Sequence, residues 1–207
     1  MMKIWSMVCG SQEFSQECIT QSHDSLTHLQ KKQQKDAEAA AAASGKKKFS
    51  AADLRVIKDL EHLSLSDTME LKRELDNYKD FSLVINPDEG MYKGGRFEFK
   101  FEIKPTFPYD APKVRCQQKI YHPNIDLEGN VCLNILREDW KPVLNLNAIF
   151  VGLQFLFLEP NASDPLNKEA AEDLKHNREG FKRNVRAAMG GGIVKGESFD
   201  RVLKPER

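Results

Sequence analysis

The spacing of apolar side chains changes along the chain, and the first spacing is that of a helix. Val56, Leu60 and Leu63 recur at intervals of four and three residues, as expected for one helical face. The preceding Ser50-Ala51-Ala52-Asp53 has the form of a capping box, with Asp in place of the preferred Glu. We predict an opening helix of about four turns from this point.

The spacing then changes to two, which is typical of strands with one buried face. Phe81, Leu83 and Ile85 alternate along one run, and residues 97–103 alternate apolar with charged side chains. Three prolines separate these runs from a third, shorter one at Lys113 to Cys116. The three runs together predict an antiparallel meander.

Helical patterns return in the last third of the chain, after a long irregular stretch. Residues 120–143 show no clear period, and such a stretch within a compact domain is usually functional. Leu146 to Leu158 is almost wholly apolar and predicts a buried helix. Asn167 could cap a final helical stretch that ends near Met189. The order helix, strands, irregular loop, helices predicts an α+β fold.

Composition separates the first 48 residues from the rest of the chain. This segment contains an alanine run and two lysine clusters, one of them Lys46-Lys47-Lys48. Low-complexity sequence of this kind cannot bury enough apolar surface to offset its chain entropy. We therefore predict a flexible N-terminal peptide and basic tether over residues 1–48, and one folded domain over residues 49–207.

Overall charge and cysteine content narrow the class of protein. The 31 basic and 31 acidic residues cancel, so the charge balance favours neither nucleic acid nor a membrane as the main partner. The four cysteines show no metal-ligand spacing, so we predict no metal site and no disulfide framework. No apolar run is long enough to span a bilayer, and the N-terminus lacks a secretory signal pattern. We expect a cytoplasmic and nuclear protein.

The candidate chemistry lies in the irregular stretch. Cys132 follows Asn124 by eight residues, with Gly129 in a turn between them. A thiol and a hydrogen-bond donor for an oxyanion suit acyl transfer at sulfur. The nearby His122 lies in a Tyr-His-Pro-Asn turn and is expected to stabilise that turn rather than to act as a base. Such a site suits holding a thioester without hydrolysing it.

Several motifs together resemble the ubiquitin-conjugating enzyme family from about residue 50 to the end of the chain. They are His122-Pro123-Asn124, the position of Cys132, Trp140-Lys141-Pro142, and the loop from Leu158-Glu159-Pro160-Asn161 to Asp164-Pro165-Leu166-Asn167. Within the family, the run from Asn130 to Leu144 most resembles the branch that conjugates the Rub-type modifier, the reaction called neddylation.

The resemblance implies a reaction and roles for several residues. An activating enzyme, which uses the ATP, would load the modifier onto Cys132 as a thioester, and a substrate lysine would then attack it. Asn124 would stabilise the oxyanion or the loop that shapes it, and Asp164 would prepare the lysine. His122 and Pro123 would be structural at the active site. No metal or other cofactor is expected.

The resemblance also implies docking surfaces and partners. Tyr109 and the loop from Trp140 to Pro142 would contact a RING-type ligase, and the opening helix would face the activating enzyme. The N-terminal docking peptide would use the apolar side chains Ile4, Trp5 and Met7. A co-ligase and cullin substrates complete the expected partners.

The sequence leaves three alternatives. A ubiquitin-specific conjugating enzyme is the nearest one. A non-catalytic scaffold of the same fold is another, although such variants typically lack the active cysteine. A cysteine hydrolase is disfavoured because it needs a base beside the thiol.

One N-terminal segment does not fit the resemblance. Residues 8–30 interrupt it, and removing them joins the docking peptide directly to the basic residues 31–35. The segment has 23 residues, which correspond to 69 nucleotides, so a retained intron would keep the reading frame. A genuine longer linker is the alternative, since a tether tolerates extra length at little entropic cost.

Overall fold

A computed structural model describes residues 49–75 and 77–203 of the chain. The docking peptide with Ile4, Trp5 and Met7, the basic tether and the segment 8–30 lie outside the described residues. The predictions about them therefore remain predictions.

The described domain begins with the predicted capped helix, α1, Ala51–Glu61. The Ser50 side chain accepts a hydrogen bond from the Asp53 N–H at 3.1 Å, and the Asp53 carboxylate accepts one from the Ser50 N–H at 2.8 Å. With 11 residues the helix has about three turns, so the prediction of four was wrong. Its buried residues include Val56, whereas Leu54 on another face is 57% exposed.

Four antiparallel strands follow in chain order: β1 Met69–Lys72, β2 Asp80–Ile85, β3 Phe97–Glu102 and β4 Lys113–Cys116. Each strand pairs with the next, which confirms the predicted meander. The sequence prediction missed β1, because four residues with a half-exposed pattern give too short an alternation.

The buried face of the sheet is aromatic, and the opposite face is charged. Phe101 lies opposite Phe81, and Phe97 opposite Ile85. The Phe97 ring stacks on Phe157 with centroids 4.3 Å apart. On the solvent face, an ion pair reaches across β2 from Lys72 on β1 to Glu98 on β3, with the charged atoms 3.2 Å apart. The alternation of apolar and charged residues therefore predicted both faces correctly.

Three helices complete the core. The buried helix α2, Leu146–Leu158, has the predicted bounds and packs on the aromatic face of the sheet. The predicted final helix is instead two helices, α3 Lys168–His176 and α4 Arg178–Met189. Asn177 causes the break, because it leaves the helical conformation and its side chain accepts the Gly180 N–H at 2.8 Å.

A small hairpin of β5 Ile193–Val194 and β6 Glu197–Ser198 follows α4. The Lys195-Gly196 turn has positive φ at both positions, as tight hairpin turns require. Helices packed on one face of an antiparallel sheet confirm the α+β class. In residues 49–75 and 77–203, no helix has both the length and the apolar character needed to cross a membrane.

Candidate active site

His122 forms the base of the site and is completely buried. Its Nδ1 accepts the Asn124 N–H at 3.0 Å, so the proton is assigned to Nε2, which donates to the Leu156 carbonyl at 2.9 Å. Burial lowers the pKa of His122 to about 4, so the ring is neutral at physiological pH. Both ring nitrogens are thus used to fix the turn.

Pro123 and Asn124 attach this turn to the loop after α2. The Pro123 carbonyl accepts hydrogen bonds from the N–H groups of Leu166 and Asn167, at 2.9 and 3.0 Å. The Asn124 side-chain amide donates to the Asn161 carbonyl at 2.8 Å, and its oxygen accepts the Asn161 N–H at 2.9 Å. The loop that carries Asp164 is therefore held by buried groups of the turn.

A tight turn then brings the chain back to Cys132. The Asp126 carboxylate accepts the N–H groups of Glu128 and Asn130, at 3.1 and 2.7 Å. Gly129 has φ +85°, and a Cβ there would lie 2.1 Å from the Cys116 carbonyl oxygen, so only glycine fits. The Cys132 N–H then donates to the Asn124 carbonyl at 2.8 Å, which places the two residues side by side.

The Cys132 thiol lies between two charged side chains. Its Sγ donates to Asp164 Oδ2 at 3.2 Å, and Arg137 Nη1 donates to Sγ at 3.2 Å. Burial raises the pKa of the Cys132 thiol, and the Asp164 carboxylate raises it further, while the Arg137 guanidinium opposes both. The resting side chain is therefore a protonated thiol with a carboxylate as its acceptor.

The structure thus brings together Cys132, Asn124 and Asp164, as the sequence predicted, and adds Arg137. The sequence prediction missed Arg137 because an arginine beside two acids, in Arg137-Glu138-Asp139, has the appearance of an ordinary solvated charge. Its position five residues after Cys132 is the only signal that could have identified it. In the structure its side chain is 50% exposed.

Cys116 is, like Cys132, a largely buried free thiol, but its sulfur contacts the neutral Gln118 side chain at 3.8 Å, whereas that of Cys132 contacts two charged side chains. It lies in β4 as predicted, is 5% exposed, and forms no disulfide. Burial raises the pKa of its thiol to about 12. A thiol that stays protonated inside the core is a poor nucleophile.

The predicted ligase-contact residues lie on two loops that the Trp140 side chain joins. Tyr109 is 79% exposed, and Pro142 is also exposed, whereas Trp140 is half-buried and donates from Nε1 to the Pro108 carbonyl at 2.9 Å. Arg55 on α1 donates to the Pro142 carbonyl at 2.9 Å. Trp140 and Arg55 therefore hold the loops, while Tyr109 and Pro142 face solvent.

Within the described part of the chain, no group of three or more His, Cys, Asp or Glu side chains is arranged to hold a metal ion. The prediction that the protein needs no cofactor of its own remains a prediction.

Comparison with known proteins gives one family. The model of the ubiquitin-conjugating enzyme family matches residues 55–189. The chain is 61% identical to the NEDD8-conjugating enzyme UBC12 of Yarrowia lipolytica, over 82% of this chain and 95% of the relative. It is 55% identical to the NEDD8-conjugating enzyme ubc12 of Schizosaccharomyces pombe, over 82% of this chain and 94% of the relative.

A solved structure agrees with these relatives. The structure of S. cerevisiae Ubc12 superposes with a TM-score of 0.74 at 43% identity, covering 87% of this chain and 100% of that one. The family match spans the turn at His122, Cys132 and the loop at Asp164. The resemblance seen in the motifs is thereby confirmed, and this chain belongs to the ubiquitin-conjugating enzyme family.

Proposed function

We propose that this chain accepts NEDD8, the Rub-type modifier, as a thioester on Cys132 and transfers it to substrate lysines. The observation that carries the proposal is the high identity, over nearly their whole length, to relatives that are named NEDD8-conjugating enzymes. The site geometry supports the chemistry, because a thiol, a carboxylate and an amide lie together around Cys132.

Loading is a thioester exchange. The Cys132 sulfur attacks the C-terminal carbonyl carbon of the modifier, and the sulfur of the activating enzyme leaves. The position of Cys132 is set by the hydrogen bond from its N–H to the Asn124 carbonyl, and the residue as a whole is 6% exposed. The partner enzyme must therefore bring the thioester to a preformed position.

Transfer to lysine needs a group that accepts a proton from the attacking amine. The Asp164 side chain is 68% exposed, and its Oδ2 lies 3.2 Å from the sulfur. An amine that approaches the thioester from solvent therefore meets this carboxylate, which can orient it and take its proton.

Asn124 has two roles in the proposal. Its amide now donates to the Asn161 carbonyl at 2.8 Å and, more weakly, to the Asp164 carbonyl at 3.5 Å. These bonds hold the loop that carries the carboxylate. The longer bond is the one that can be exchanged for a bond to the oxyanion when the tetrahedral intermediate forms.

The contacts of the described histidines bear on whether the thioester can be hydrolysed, because hydrolysis would need a base to activate water. His122 is neutral, and both of its ring nitrogens are hydrogen-bonded to backbone groups. A His62 ring nitrogen contacts the Lys58 carbonyl, and His176 pairs with Glu172, each within or beside its own helix. In the described ranges, no histidine is thus arranged as a base for hydrolysis, which argues against the hydrolase alternative.

The wider partners belong to the same proposal. The activating enzyme would meet α1 and the docking peptide, a RING-type ligase and co-ligase would meet the surface at Tyr109 and Pro142, and cullins would supply the lysines. What supports the ligase surface is the exposure of these two side chains on loops held by Trp140 and Arg55. A cytoplasmic and nuclear location is part of the proposal as well.

Charging the purified full-length protein tests the proposal. NEDD8 and ubiquitin are each offered with their own activating enzyme and ATP, and thiol-sensitive adducts are separated on non-reducing gels. We expect fast charging with NEDD8 and at most slow charging with ubiquitin. Cys116→Ser should behave as the parent does. Preferential charging with ubiquitin would replace this proposal by the ubiquitin-specific alternative, and no charging with either modifier would favour a scaffold.

A further inference from the structure

One charged group at the active site has no part in the mechanism above. Arg137 Nη1 lies 3.2 Å from Cys132 Sγ and 3.4 Å from Asp164 Oδ2. The sulfur itself donates to the same Oδ2 at 3.2 Å. The three functional atoms form a triangle in which a cation and an anion both contact the sulfur.

Arg137 reaches the sulfur from a short turn rather than from a long loop. It follows the 3₁₀ turn Asn134–Leu136, which begins two residues after Cys132. Its N–H donates to the Asn134 carbonyl at 2.9 Å, and the Asp139 N–H donates to the same oxygen at 3.1 Å. The backbone of Arg137 is therefore fixed relative to the nucleophile.

The two charged neighbours have opposite effects on the sulfur. A carboxylate that accepts the S–H hydrogen bond favours the thiol, whereas a guanidinium in contact favours the thiolate. Glu138 lies on the far side of the guanidinium, 3.7 Å from Arg137 Nε. Among the described residues, Asp164 and Arg137 are the charged groups whose side chains contact Sγ.

We propose that Arg137 is a catalytic residue that stabilises negative charge on Cys132 Sγ in both steps, and that the Asp164 carboxylate opposes this stabilisation. This inference rests on the proposed function. Before loading, the thiol gives its proton to solvent, and only the resulting thiolate is the nucleophile. Its sulfur then bonds to the modifier's carbonyl carbon, the bond from that carbon to the activating enzyme's sulfur breaks, and that second sulfur leaves as a thiolate.

In the transfer step the charge returns to Cys132. The lysine nitrogen bonds to the carbonyl carbon, the amine loses a proton to Asp164 or solvent, and Sγ leaves as a thiolate. Negative charge thus rests on Sγ at the start of loading and at the end of transfer. At both moments the guanidinium is within contact distance of the sulfur.

The rate of alkylation of Cys132 by iodoacetamide, followed against pH in the uncharged full-length enzyme, tests the proposal. Mass spectrometry resolves Cys132 from the other cysteines, and no modifier is needed. We expect Arg137→Ala to slow alkylation at pH 8 by about threefold to tenfold, since one pKa unit changes the thiolate fraction tenfold. Arg137→Lys should fall between parent and Arg137→Ala, and Asp164→Asn should react faster than the parent.

The matched control is Arg183→Ala, which removes an exposed arginine from α4. It changes the net charge by the same amount and should leave the profile unchanged. The proposal is overturned if Arg137→Ala matches this control, if Arg137→Lys is as slow as Arg137→Ala, or if Asp164→Asn is also slowed. If the alkylation rates change as expected but NEDD8 does not charge the protein, the electrostatic role of Arg137 stands and the proposed function is refuted.

Discussion

The two sides of Cys132 are built differently. On one side lies a buried wall, His122, Pro123 and Asn124, whose polar groups are bonded to the backbone of neighbouring segments. On the other side lies an exposed rim, Arg137 and Asp164, whose side chains are 50% and 68% exposed. The wall fixes where the sulfur sits, and the rim sets the charge around it.

The difference has an energetic basis. Buried hydrogen bonds cannot be replaced by water, so removing one partner leaves a costly unsatisfied group. Exposed ion pairs contribute little to stability and are screened by salt. Changes in the wall should therefore affect both folding and catalysis, whereas changes in the rim should affect catalysis alone.

The largest expected effect is at Asn124. Asn124→Ala removes the amide that holds the loop at Asn161 and would bond the oxyanion, so discharge of the thioester to free lysine should fall by about a hundredfold or more. Loading should fall less, because the activating enzyme supplies groups of its own. Single-turnover discharge assays measure both.

Asn130→Ala is the matched control for this variant. Asn130 is an exposed asparagine whose side chain donates to Asp126 at 2.7 Å, so its loss should leave discharge within about twofold of the parent. Equal discharge rates for Asn124→Ala and the parent would contradict the role given to the wall.

The next effect concerns pH. His122 is neutral in the fold with a pKa of about 4, against about 6.5 in the unfolded chain. The stability that its neutral, buried form contributes is therefore present above pH 6.5 and is lost as the pH falls toward 4. The loss should reach about 3 kcal/mol, because one pKa unit corresponds to about 1.4 kcal/mol.

Urea unfolding between pH 4 and 7 measures this loss. His122→Gln removes the ionisable ring at position 122 and leaves every other ionisable side chain in place, so the comparison with the parent isolates the contribution of His122. The parent should lose more stability on acidification than the variant. Parallel curves would mean that the buried ring does not govern the pH dependence.

The smallest effect belongs to the rim. Asp164→Asn should slow lysine discharge by about tenfold, because the amide cannot accept the amine proton. Its melting temperature should stay within about 2 °C of the parent, since an exposed side chain contributes little to folding. A large drop in melting temperature would place Asp164 with the wall and remove the distinction between the two sides.

Sequence patterns predicted the parts of the fold that depend on local spacing. The bounds of the helix Leu146–Leu158 were predicted correctly because an apolar run of that length is typical of a buried helix and too long for an ordinary strand. The break at Asn177 was missed because a polar residue within an amphipathic helix usually faces solvent without ending it. β1 was missed because its four residues pair with β2 through contacts that no local pattern shows.

The candidate site also contains some residues that sequence motifs identify and others whose roles depend on tertiary contacts. Cys132, Asn124 and Asp164 were identified because they occupy motif positions in the sequence. The role of Asn124 as an anchor of the loop depends on Asn161, which is 37 residues away in the chain. The contact between Arg137 and Asp164 beside the sulfur forms only when the chain folds, so the sequence alone did not indicate a role for Arg137. Contacts of this kind come from tertiary packing, which neither spacing nor composition reports.

The most direct test of the central claim is the nature of the bond formed at residue 132. Cys132→Ser is charged with NEDD8 by its activating enzyme, and the product is treated with a thiol reductant beside the parent and Cys116→Ser. The account predicts that the adducts of the parent and Cys116→Ser are cleaved, and that Cys132→Ser gives either a resistant oxyester or no adduct. An adduct on Cys132→Ser that the reductant cleaves as readily as the parent's would show that another sulfur carries the modifier.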